Sequence, residues 1–120
     1  MGRYYSGDIE GKFMFAVQSS DAGTRFGAFE CSSGYIEYCV NRESYKDIVR
    51  VLASIKSRGH VDKVKNMFEK VNGYNDKIME EHGVTRKDLS EYADYNLGEQ
   101  MKVWFDENEN EDCLYFNAEL

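Results

Sequence analysis

Proline does not occur in this chain of 120 residues, cysteine occurs three times and histidine twice. About 5% proline is usual, but its absence reflects genome composition as readily as structure and excludes nothing about the fold. The scarcity of metal ligands excludes more. Cys31, Cys39 and Cys113 share no C-x-x-C spacing, and His60 and His82 lie far apart near the ends of predicted helices, so a zinc site has no support and no metal or cofactor is expected. Each cysteine falls in an apolar, strand-like run where a thiol behaves as a small hydrophobe, and three reduced core thiols are the expectation.

Long apolar runs are missing too. No stretch of about 18 apolar residues offers a membrane span, and Met1 to Tyr5 lacks the apolar segment of a secretory signal, so no membrane association and a cytoplasmic location are expected. Nucleophilic catalysis finds no recognisable arrangement. There is no G-x-S-x-G, the serine pairs Ser19-Ser20 and Ser32-Ser33 sit in turn-like segments, and Gly2, Gly7 and Gly11 are spaced too openly for a phosphate-binding loop. No catalytic residue is assigned.

What is present is a chain rich enough in apolar side chains to fold: 42% are hydrophobic and 14% aromatic, enough to offset the entropy of ordering the backbone. Its length suits one domain spanning residues 1–120. Lys12 to Gln18 alternates, with Phe13, Phe15 and Val17 on one face, and reads as a half-covered strand. Phe26 to Cys31 and Tyr35 to Val40 are two further strands around Ser32-Ser33-Gly34, a short hairpin connection.

After Asn41 the apolar period lengthens. Tyr45, Ile48, Val49, Leu52 and Ile55 recur at intervals of three and four and predict a helix, with Ser44 and Asp47 as a capping pair and Arg58-Gly59 as its stop. Val61, Val64, Phe68 and Val71 predict a second, ending at Asn72-Gly73, and Tyr74 to His82 a short third. Thr85-x-x-Asp88 opens a helix using Leu89, Tyr92 and Ala93; Leu97, Met101, Trp104 and Phe105 continue the spacing to about Asp106, with Gly98 a weak point between the two stretches. Cys113 to Ala118 is a last strand that returns to the N-terminal sheet, because a lone strand leaves its backbone groups unpaired. The expectation is an α+β fold: a small antiparallel sheet of three N-terminal strands and the C-terminal one, covered by four or five helices over residues 43 to 106.

Charge is unevenly placed. Residues 1–41 carry a net −2, residues 42–87 a net +4, and residues 88–120 a net −9, with Lys102 the only base among ten acids. Like charges in such number repel unless the basic middle segment pairs with them. Either the acids are neutralised within the fold, or they are presented to a basic partner with Trp104 among the contact aromatics. The candidate partner-binding residues are Glu99, Trp104, Asp106, Glu107, Glu109, Glu111 and Asp112. Direct nucleic-acid binding is disfavoured, since phosphate contact needs clustered Lys and Arg.

Two carboxylate pairs are candidates for chemistry. Asp8 and Glu10 share a face if the chain there is extended, and could hold a hard divalent ion. A two-residue turn at Ser33-Gly34 would set Glu30 opposite Glu37, a like-charged pair able to work as an acid/base couple or to bind a metal. In each case a solvated, structural role is the plainer alternative.

The opening, Gly2-Arg3-Tyr4-Tyr5-Ser6-Gly7-Asp8-Ile9-Glu10-Gly11-Lys12-Phe13 continuing through Phe15-Ala16-Val17-Gln18-Ser19-Ser20, resembles the start of small uncharacterised proteins of bacteriophages and large DNA viruses. The resemblance implies a viral or prophage origin and brings no activity or site residues with it. Size and acidity are similar to those of viral inhibitors of host defence nucleases, including anti-CRISPR proteins that occupy a nucleic-acid groove. The first functional expectation is therefore a non-enzymatic interaction protein that covers a basic surface. The alternatives are a small enzyme or metal-dependent module using the strand carboxylates, and a structural protein that forms homo-oligomers through its aromatic surface.

Overall fold

The computed structural model describes residues 3–14, 18, 21–30, 37–71 and 75–118. Five strands, β1 (Arg3–Gly7), β2 (Gly11–Phe13), β3 (Phe29–Glu30), β4 (Glu37–Asn41) and β5 (Cys113–Ala118), form one antiparallel sheet in the order β2-β1-β5-β4-β3. The helices are α1 (Tyr45–Ser57), α2 (His60–Lys70), α3 (Asp76–Glu81) and α4 (Arg86–Glu107). This is the expected α+β class, and the C-terminal strand joins the N-terminal ones as expected, at the centre of the sheet.

β5 shows why the sheet has two unlike faces. Leu114, Phe116 and Ala118 alternate with Cys113, Tyr115 and Asn117, and only the first set is buried. Their cross-strand neighbours continue the pattern: Tyr38 stacks on Phe116, and Tyr5 meets Phe13 and Phe116 ring to ring. Against this face lie α1 through Ile48, Leu52 and Ile55, and α4 through Leu97, Met101 and Phe105. A second cluster, Val64, Met67, Met79, Val84 and Leu89, joins α2 and α3 to the first half of α4.

α4 thus serves both clusters, and it does so as one uninterrupted helix of 22 residues, about 33 Å long. The expected weakness at Gly98 is absent because Phe26 packs there: a Cβ on residue 98 would overlap the Phe26 ring. Phe26 itself belongs to a 3-10 turn, Ala22–Phe26, and not to a strand, which leaves only Phe29 and Glu30 to form β3. The predicted strand from Lys12 stops at Phe13, and its continuation through residues 15–17 lies outside the described residues.

The Thr85–Asp88 capping box forms as predicted. The one expected of Ser44 and Asp47 does not: a 3-10 turn, Arg42–Ser44, leads into α1, Ser44 makes no side-chain cap, and Asp47 pairs with Arg50. The cysteines also differ from expectation. Cys113 is a free thiol that donates to Asn41, whereas Cys39 is disulfide-bonded. Disulfides persist in oxidising surroundings, so this bond sits uneasily with a cytosolic placement. Among the described residues, no helix is long and apolar enough to cross a membrane.

Candidate protein-interaction face

The described acids of the C-terminal third fall into two sets. The first is neutralised inside the fold. Asp88, almost fully buried at the start of α4, receives the Thr85 backbone N–H at 2.8 Å and faces His60 Nδ1 at 2.6 Å and Lys63 Nζ at 3.3 Å. Burial alone would raise its pKa. The Thr85, His60 and Lys63 contacts outweigh that effect and hold the carboxyl at about 2.

One turn further along α4, the Arg25 guanidinium reaches Glu91 at 2.9 Å and Asp94 at 3.0 Å. Gln18 donates to the other Asp94 oxygen, and Lys87 stands 3.8 Å from Glu91. Burial pushes the Asp94 carboxyl up, opposed by its Arg25 and Gln18 hydrogen bonds. These contacts tie the 3-10 turn and Gln18 to the helix. Near the end of α4, Asp106 accepts from the Tyr45 hydroxyl at 2.6 Å and from Lys102 Nζ at 2.9 Å. The Lys102 bond foremost, then that of Tyr45, lowers the Asp106 pKa.

The second set comprises Glu99, Glu107, Glu109, Glu111 and Asp112. All five are exposed, and none forms an ion pair among the described residues. The connector that carries four of them is nevertheless ordered, by backbone rather than carboxylate contacts. Arg42 places Nη2 at 2.5 Å from the Asn108 carbonyl and 3.3 Å from that of Phe105, and Nε at 2.7 Å from that of Glu111. Its guanidinium lies over the Phe105 ring, 4.9 Å from the centroid. A cation so placed satisfies the Phe105 carbonyl, which the last turn of α4 leaves without a helical partner, pins the chain beyond it through Asn108 and Glu111, and offsets the negative end of the helix dipole.

Five of the seven predicted interaction residues line one or other of two grooves, and Glu111 and Asp112 line neither. Glu99, Trp104 and Glu107 line a groove of about 700 Å³ together with Asp8, Ile9, Glu10, Lys65, Asn96, Gln100 and Val103. Asp106 and Glu109 line another, beside Arg42 and Tyr45. The roles of Arg25 and Arg42 had no local signature, since each acts on residues more than 60 positions away.

The Glu30–Glu37 pair does not form. Glu30 stands opposite Tyr38, and Glu37 opposite Asn117 on β5. The connection between β3 and β4 is one residue longer than the predicted turn, and a slip of one residue reverses the face of every side chain. Asp8 and Glu10 are likewise not on an extended strand. They occupy the turn between β1 and β2, with Ile9 buried between them and Asp8 accepting the Tyr115 backbone N–H at 2.9 Å. Among the described residues, no three of His, Cys, Asp and Glu converge as a metal site.

Fold and face together define an antiparallel α+β protein with helices on one side of its sheet and an unneutralised acidic edge. No protein-family model matches the chain, and neither a curated protein nor a solved structure is similar to it.

Proposed function

We propose that this chain is a non-enzymatic binding protein whose acidic edge, Glu99 and Glu107 through Asp112, covers a basic surface of another protein. The observation that carries the reading is the division of charge. Residues 42–87 hold a surplus of bases, yet the cations that pair with C-terminal acids meet Asp88, Glu91, Asp94 and Asp106 and leave Glu99, Glu107, Glu109, Glu111 and Asp112 exposed without an ion pair among the described residues. Repulsion kept where internal pairing was available is what a surface used to attract a cationic partner requires.

In its finer form the partner is the nucleic-acid-binding surface of a defence nuclease, and the protein is a viral inhibitor. Supporting this form is the sign of the edge, which is that of the polyanion such a surface binds. Retention from a host lysate at low and high salt tests the reading. The expected result is a partner held at low salt and lost when Glu99, Glu107, Glu109 and Glu111 become Gln and Asp112 becomes Asn; retention indifferent to those changes rejects it.

A specific observation favours a second reading, self-association through the sheet. Register places Tyr4, Phe29 and Tyr115 on the face away from the helices, each 47% exposed. A solution mass of one chain, with no rise on concentration, removes it.

A further inference from the structure

The groove against α4 combines three features that together specify a ligand chemistry. Four exposed carboxylates, Asp8, Glu10, Glu99 and Glu107, line it against a single ammonium, that of Lys65. Trp104, half-buried against Phe105, forms part of its wall. Its position is fixed from the sheet side: Gly7, at φ +138°, lets the chain turn so close to β5 that a Cβ there would lie 2.7 Å from the Tyr115 carbonyl. The Asp8 N–H then donates to that same carbonyl, and one Asp8 oxygen accepts from the Tyr115 N–H.

We propose that this groove is the anchoring site for an arginine side chain of a basic protein segment. The inference rests on the binding-protein reading above and assigns it a point of contact. A planar guanidinium stacks on an indole and engages carboxylates in a fork, whereas an ammonium offers only a point charge. The occupant is a polypeptide because the surface continues beyond the charged site. Val103 and Glu99 also line an adjoining groove of about 320 Å³ between α1 and α4, where Val49 and Val103 are 37% and 43% exposed. An apolar residue flanking the arginine settles there.

Trp104 is the only tryptophan, so its fluorescence reports on the groove directly. The probe is a hexa-arginine peptide at low salt, with hexalysine as comparison. The expected result is a saturable change in emission and weaker binding of hexalysine. Substituting Glu10→Gln with Glu99→Gln weakens hexa-arginine binding about tenfold or more. Both residues are exposed, so the fold is retained, which a melting curve verifies. A second variant, Glu109→Gln with Glu111→Gln and Asp112→Asn, removes more charge outside the groove and is expected to weaken binding less. Binding seen by calorimetry with no change in emission overturns the groove and leaves the acidic edge standing, as does a larger loss in the second variant than in the first. No binding of either peptide overturns the anchoring site, and the wider reading is then decided by lysate retention.

Discussion

Phe26 presses the edge of its ring against the backbone of Gly98, near the midpoint of α4. The Cε1 and Cζ atoms occupy the space a Cβ at position 98 would need. In an open helix Gly→Ala is worth up to about 1 kcal/mol in favour of alanine. Here the overlap is with a fully buried ring, and overpacking costs about 1–3 kcal/mol. Gly98→Ala is therefore expected to lower the melting temperature, and to do so less when Phe26 is also shortened to leucine. Thermal unfolding of the two single variants and the double variant measures this coupling directly.

Asp88 links stability to acid pH. Its carboxyl lies at about 2 in the folded protein against 3.8 unperturbed. A depressed folded pKa means the stabilisation is complete above the unfolded value and is lost as pH falls from about 4 through 2. On the order of 2 kcal/mol is at stake. Unfolding by urea at a series of pH values is expected to show a steep loss in that window for the natural chain and a flatter profile for Asp88→Asn, which is already weakened at neutral pH by the loss of the charge that faces Lys63 and His60.

Arg42 is the residue that gives the acidic connector its shape. Arg42→Ala removes hydrogen bonds to the carbonyls of Phe105, Asn108 and Glu111 and the stacking over Phe105. A loss of about 1.5–3 kcal/mol is expected, since bonds from charged donors are the stronger ones. Arg42→Lys is expected to restore little, because one ammonium cannot span three carbonyls. Faster amide exchange across residues 108–112 in both variants is the accompanying sign that the connector has loosened.

Elements whose apolar residues contrast with polar neighbours were readable in the amino-acid order: α1 from Tyr45, Ile48, Leu52 and Ile55, and β5 from the apolar run Cys113 to Phe116 that follows the acidic connector. β1 escaped notice because Tyr4 and Tyr5 are alike in sequence, and only pairing with β2 and β5 makes one exposed and the other buried. Phe26 misled for the opposite reason, since its burial comes from Gly98 and not from a strand. The Glu30–Glu37 pairing turned on a single residue of loop length, which composition does not reveal. The excess of acid was plain, but its partition was not, because Arg25 finds Glu91 and Asp94 only once the 3-10 turn has docked on α4.

That partition predicts opposite responses to the same chemical change. Neutralising Glu109, Glu111 and Asp112 removes repulsion and breaks no ion pair described, so stability is expected to hold within about 0.5 kcal/mol or to rise, more at low salt than at high. Neutralising Glu91 takes one arm of the bidentate grip from Arg25 and leaves a partly buried guanidinium underused, at a cost of about 1–3 kcal/mol. Adding Asp94→Asn removes the second arm and is expected to deepen the loss less than additively, because both carboxylates share one cation. Melting temperatures of the connector triple variant, Glu91→Gln, and Glu91→Gln with Asp94→Asn, each at two salt concentrations, separate acids that hold the fold from acids held in spite of it. A connector variant that melts well below the natural chain would place its carboxylates among the structural ones and remove the main support for a binding edge.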